Sequence, residues 1–374
     1  MRIYCVFFIG CIFLILILGC GEENAVFPDD QITLPVDTLR VVFEIGQEIG
    51  DSSNTFSSLK AALIDKQNRI IVLDEVEACI KVFDIQGTYI RQISRRGSGP
   101  GELSHPVGLF LMPDGRLGVN AAGKGGYVVF DDSLNFLEEI SLWRGNSPYS
   151  VTPASDSRLV ACKYDIIMRD NNIVMSRSVG IYSWGESECD TLLWKDSIVT
   201  TQEELYENLS MVALYALIDR LDTGGSVEFG IYFAPVDPYE YRVIGWDSTG
   251  AEILSITRDM TPVAKTPEEI ANERVYVNWS LDRGSGGSSG VDYQPAPYRN
   301  MIAGVDIGPD ENLWVRRGTR LEPFFDIFDL NGNLLRHAVY PIEGWGWETE
   351  VTAHGILAWE LDPFEGYQKL YLLE

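Results

Sequence analysis

Histidine is scarce in this chain: His105, His337 and His354 are the only three among 374 residues. None shares an HxH or HExxH spacing with another, so a metal site would have to assemble from positions distant in the sequence. Basic side chains are also few, with 29 lysines and arginines against 55 aspartates and glutamates and a formal net charge of −26. Affinity for a phosphate backbone comes from clustered Lys and Arg, so this balance excludes nucleic acid as a partner. It also excludes adhesion to anionic lipid through protein charge alone. The glycine-rich stretch at residues 97–101 lacks a G-K-[ST] ending and precedes a strand, whereas a phosphate cradle needs a helix N-terminus, so it reads as a turn. The N-terminal apolar run, residues 6–18, is about 13 residues long and falls short of the roughly 20 that span a bilayer.

What that run does have is a positive start at Arg2 and small residues at its exit, Gly19 and Gly21 around Cys20. This is the pattern of a cleaved export signal. Ile17-Leu18-Gly19-Cys20 resembles the lipobox of bacterial lipoproteins. The resemblance implies that residues 1–19 are removed, that Cys20 is acylated, and that the lipid is the membrane contact. Because residue 21 is not aspartate, it also implies the outer membrane as destination. Residues 20–37 then form a polar, proline-punctuated tether, and residues 38–374 the folded part. Cys79, Cys162 and Cys189 remain, an odd number, and are expected as buried thiols.

The folded part repeats a phrase: apolar strand, Asp-containing turn, second strand, loop, third strand ending in aspartate, Gly-containing turn, fourth strand. The first copy occupies residues 59–93 and the second begins at residue 107. Their third-strand aspartates, Asp84 and Asp131, are about 47 residues apart, close to the roughly 40–50 of a four-stranded propeller blade. Looser copies follow at residues 149–194 and 227–250, and a clear one at residues 305–332. A sixth, residues 349–374, supplies only three strands. The alternating segment 39–45 has no blade of its own and can complete the sixth, leaving no open edge. The expected fold is all-β, a six-bladed β-propeller closed by an N-terminal strand, with short helical insertions. Capping boxes predict those helices at Thr201–Glu204 and at Thr266-Pro267-Glu268-Glu269. The Gly/Ser-rich residues 283–290 read as flexible linker.

These phrases resemble NHL-type six-bladed propellers, and Arg95-Arg96-Gly97-Ser98-Gly99-Pro100-Gly101 is similar to the inter-blade linker of exported lipoproteins in that group. The architecture implies that the loops joining second to third strands share one face with the inter-blade linkers. On that face fall Asp74, Asn120, Arg316, Arg317 and Glu360, with His105 in the linker to blade two. Lys163-Tyr164-Asp165 and Asp237-Pro238-Tyr239 are placed there too. The mixture of acids, amides and arginines suits a Ca²⁺ ion or a polar ligand. Lactonases of similar architecture bind calcium through channel acids and amides; Asp74 and Asn120 are nominated by position alone, since no local motif of that family is matched and no residue role is carried over. Trp345 and Trp347 are a candidate aromatic platform for glycan. The expectation is a membrane-anchored binding or scaffolding module for protein, peptide or glycan. The alternative is a metal-dependent hydrolase or lyase of lactonase type with its site at the channel mouth.

Overall fold

The computed structural model of the chain describes residues 34–142, 148–169, 172–201, 221–285, 293–318, 324–342, 346–361 and 367–374. The export signal, Cys20 and the helix expected after Thr201 lie outside the described residues, and Thr201 itself ends a strand. Among the described residues no helix is long and apolar enough to cross a membrane.

Six sheets form the predicted propeller. Blade 1 comprises Leu59–Ile64, Arg69–Asp74, Cys79–Asp84 and Tyr89–Ile93, from the centre outward. Its second and third strands are apolar on both faces because each lies between two neighbouring blades. Ile71 and Leu73 pack against blade 2, whereas Ile70 and Val72 pack against blade 6. The same division holds around the ring, so that each of six hydrophobic clusters fills one interface between adjacent blades. The innermost strands touch one another in cyclic order and so enclose a central channel.

Chain-terminal strands close the ring. Val41–Ile45 is the outermost strand of blade 6, antiparallel to Leu370–Leu373 with Val41 opposite Leu373. Val36–Thr38, at the end of the segment read as tether, adds a fifth strand to blade 5, parallel to Leu334–Val339. The aspartates that mark the repeat organise the turns that follow them. Asp84 accepts from the backbone of Gln86 and Thr88, and Asp329 from that of Asn331 and Asn333. The equivalent Asp131 and Asp247 do the same.

Four expectations change. Residues 227–233 are not one strand, because the chain turns between Thr223–Ser226 and Gly230–Phe233. Gly224 and Gly225 are therefore part of blade 4's innermost strand. A Cβ at Gly224 would stand 1.9 Å from the Val305 carbonyl oxygen of blade 5, so only glycine lets the two innermost strands approach this closely. Blade 3 carries two 12-residue strands, Arg158–Arg169 and Asn172–Ser183, which place Lys163, Tyr164 and Asp165 within a strand rather than a loop. The helix predicted at Thr266 is longer than expected: α1 spans Pro267–Ser285 and runs into the Gly/Ser segment. Its capping box is formed, with Glu269 N–H donating to Thr266 Oγ1 at 3.2 Å and Thr266 N–H to Glu269 Oε2 at 2.6 Å. Finally, Cys79 and Cys162 are buried as expected but Cys189 is exposed. Burial and the adjacent Asp74 push the Cys79 thiol up to about 12, which makes it inert as a nucleophile.

Candidate functional site

The channel is a cavity of about 1170 Å³ lined by all six innermost strands and by Tyr276, Trp279 and Ser280 of α1. Apolar residues such as Val107, Val151 and Val351 share the wall with polar ones. At Gly108 and Gly304 no atom would lie within 4 Å of an added Cβ, so these two positions leave the cavity wide.

Carboxylates gather on the arc formed by blades 4 to 6. Asp222 opens blade 4, Asp306 lies on the innermost strand Ile302–Ile307 of blade 5, and Glu348 and Glu350 on Trp347–Thr352 of blade 6. Enclosure by the ring pushes the Asp306 carboxyl up to about 7, with Asp222 adding to the effect, although the Gly225 and Ile307 amides each donate to Asp306 at 2.7 Å. Glu350 is likewise displaced upward, by its enclosure and by Asp306, Asp222 and Glu348. No cation pairs with Asp306 or Glu350 among the described residues. The cationic groups on the wall are engaged elsewhere: Lys60 lies 3.9 Å from Glu75, and Arg96 donates to the Val76 carbonyl.

Asp222 is positioned from blade 3. Ser150 Oγ donates to it, Thr223 N–H donates to it at 3.1 Å, and Thr223 Oγ1 returns a bond to the Ser150 carbonyl at 2.8 Å. Ser150 and His105, the residues that lead into blades 3 and 2, both have positive φ, at 47° and 46°. Such backbone is uncommon outside glycine and persists where surrounding bonds fix it, as they do at Ser150.

Of the residues nominated from sequence, Asn120, His105 and Arg316 line the channel. Asn120 is 5% exposed, and its Nδ2 donates to the Pro148 carbonyl at 3.1 Å, while its Oδ1 is buried without a partner. His105 is exposed at the mouth. Arg316 is buried and ties blade 5 to blade 6 through the Thr349 hydroxyl, at 3.2 Å, and the Trp347 carbonyl. Asp74, Arg317 and Glu360 are not on the channel wall. Asp74 is fully buried and accepts from the backbone amides of Ser57, Ser58 and Glu77, a turn-fixing role. Arg317 donates to buried Asp326 at 2.7 Å. Glu360 is half-buried, and its carbonyl accepts from Gln368. Among the described residues no three His, Cys, Asp or Glu side chains are grouped to hold a metal ion, and neither His105 nor His337 approaches the acidic arc.

Of the sequence-nominated tryptophans, Trp345 lies outside the described residues and Trp347 is buried between Tyr340 and Tyr371. The aromatic pair at the channel is instead Tyr276 and Trp279 on α1, stacked at 6.5 Å, with Trp279 exposed. Their i, i+3 spacing on a helix was the available signal. A buried ion pair fastens α1: Lys265 Nζ lies 2.7 Å from Glu273, which also accepts from the Tyr293 hydroxyl at 2.6 Å.

A family described as 6-bladed beta-propeller matches residues 52–160. Solved structures similar to this chain include virginiamycin B lyase from Staphylococcus aureus, 11% identical, covering 86% of this chain and 81% of that one, with a TM-score of 0.41. Regucalcin, a calcium-binding protein from Agrobacterium tumefaciens, is 10% identical, covering 90% and 95%, with a TM-score of 0.44. A member of the DUF4221 family from Bacteroides vulgatus is 10% identical, covering 90% and 97%, with a TM-score of 0.47. No curated protein sequence matches the chain.

Proposed function

We propose that this chain is an exported, lipid-anchored propeller of the NHL type that binds a ligand in its central channel and acts in recognition at the cell envelope. The observation that carries the binding part is the channel itself. The six innermost strands enclose a cavity of about 1170 Å³, and an inserted helix adds an aromatic pair to its wall. Such a concave, partly apolar space with a few fixed polar groups is the usual form of a small-ligand or peptide-segment site. A rigid scaffold needs no tuned catalytic group to recognise a ligand this way.

The test fills the channel. Gly304→Phe puts a ring where no atom would meet the new Cβ, so the fold should hold and the melting temperature should stay within a few degrees. The wild-type protein, purified gently from envelope membranes, is expected to retain a bound component detectable by native mass spectrometry. The Gly304→Phe protein is expected to lose it. Equal retention by both proteins would place the ligand elsewhere and end this reading.

Anchoring rests on Ile17-Leu18-Gly19-Cys20. Each buried methylene contributes about 0.8 kcal/mol, so two or three acyl chains hold a protein at the bilayer essentially permanently. Cys20→Ser is expected to abolish incorporation of labelled fatty acid and to block maturation. A wild-type protein that fractionates as soluble and unlabelled would refute the anchor.

A further inference from the structure

We infer that the channel ligand carries ammonium groups joined by a flexible aliphatic stem, received separately by Asn120 Oδ1 and by the carboxylates of Asp222, Asp306 and Glu350. This rests on the channel being a ligand site and specifies what enters it.

Two independent observations point the same way. The first is Asn120, whose side chain lines the cavity and is nine-tenths buried, yet whose Oδ1 has no donor. A buried acceptor left unpaired costs about 1–3 kcal/mol, so its persistence calls for a donor brought by something else. The amide is not free to turn away, because Nδ2 is held by the Pro148 carbonyl, which also accepts from the Tyr127 hydroxyl at 3.1 Å. Two residues beyond Pro148, Ser150 holds Asp222. The Asn120 amide and the Asp222 carboxylate are thus held by positions two residues apart in the chain entering blade 3.

The second observation is charge. Among the described residues no cation pairs with Asp306 or Glu350, which share the cavity. Enclosed like charges are unfavourable unless they are protonated or neutralised, and a bound cation removes that repulsion.

The geometry favours an ammonium over a metal ion. The acidic groups are not clustered tightly enough to coordinate one ion. They are spread along the wall, between the valines of the innermost strands. Separate acceptors with apolar surface between them suit N–H donors joined by methylenes. A neutral sugar would satisfy Asn120 but leave the carboxylates uncompensated.

The ammonium has two sources, a free oligoamine or a lysine side chain of a peptide, and the test separates them. The full chain, purified in detergent, is titrated calorimetrically at pH 7.5 with spermidine, with Ca²⁺ and with a neutral disaccharide. Saturable one-to-one binding of spermidine is expected, with no heat from the disaccharide and no competition by Ca²⁺. Glu350→Gln keeps the shape while removing the carboxylate that a bound ammonium would hold ionised. It should weaken spermidine binding at least tenfold and leave the melting temperature equal or higher, which a purely structural role for Glu350 would not do. Asn120→Ala should weaken binding as well. Competition by a trilysine peptide identifies a lysine side chain as the natural occupant, and its failure to compete identifies a free amine.

Undiminished spermidine binding by Glu350→Gln would overturn the inference, as would displacement of spermidine by Ca²⁺. No spermidine binding, together with a native component that Gly304→Phe excludes, would overturn the amine while leaving the channel as the ligand site. No component lost on Gly304→Phe would remove the channel reading itself.

Discussion

Asp326→Ala is expected to be the most damaging single substitution in the protein, lowering stability by about 3–5 kcal/mol or preventing folding altogether. Asp326 is fully buried between blades 4 and 5. Its Oδ2 accepts from Arg317 Nε at 2.7 Å, Arg258 Nη1 at 3.0 Å and the Tyr241 hydroxyl at 2.7 Å, and its Oδ1 lies 2.7 Å from His337 Nδ1. Removal of this acceptor takes the shared counter-charge from two guanidiniums, one of them 1% exposed, and breaks the bonds of a buried phenol and imidazole. Equilibrium unfolding in urea should show a lower midpoint at unchanged slope if the ring still closes. A loss of unfolding free energy under about 1 kcal/mol would show that the network is not structural. The same residue sets a pH dependence. Burial by itself would raise the Asp326 carboxyl, but the His337 hydrogen bond and the Arg317 and Arg258 guanidiniums hold it below its ordinary value. A depressed folded-state value means that the unfolded chain binds more protons, so this contribution is complete above the ordinary carboxylate range and is lost as pH falls through it. The Asp326→Ala protein should therefore lose less of its remaining stability on acidification than the wild type.

Removal of residues 34–46 is expected to abolish cooperative unfolding and to cause aggregation, whereas removal of residues 22–33 should do neither. The longer deletion strips Val41–Ile45 from blade 6 and exposes the backbone of Leu370–Leu373 as a sheet edge. It also removes Leu39 and Ile45, both buried, at about 1.5–3 kcal/mol each. Phe43 is lost too, which packs over the Gly87 turn of blade 1 and so bridges the first and last blades. Size-exclusion chromatography and a thermal melt read both outcomes. A monomeric, cooperatively melting protein lacking residues 34–46 would refute ring closure by the N-terminal strands.

The blades were legible because they are local. Alternation, turn aspartates and a repeat of about 47 residues report on neighbours in the chain, so Leu59–Ile64 through Tyr89–Ile93 could be placed nearly to the residue. The innermost strand of blade 4 could not, because Thr223-Gly224-Gly225-Ser226 has no apolar side chain to signal a strand. Its Gly224 answers to the Val305 backbone of blade 5, about eighty positions away. The candidate site divides in the same way. Asn120, His105 and Arg316 were placed at the channel by their position in the repeat, but position could not distinguish them from Asp74, which instead caps its own turn. Asp222, Asp306 and Glu350 carry no local motif, and only closure of the ring brings them together. The sequence by itself determined the repeat, the turns and the strand that completes the ring, since these depend on side-chain period and backbone propensity. The tertiary structure alone decided which acids share the enclosed channel without a counter-charge and which acid is neutralised in the wall, because both depend on what lies opposite across the ring.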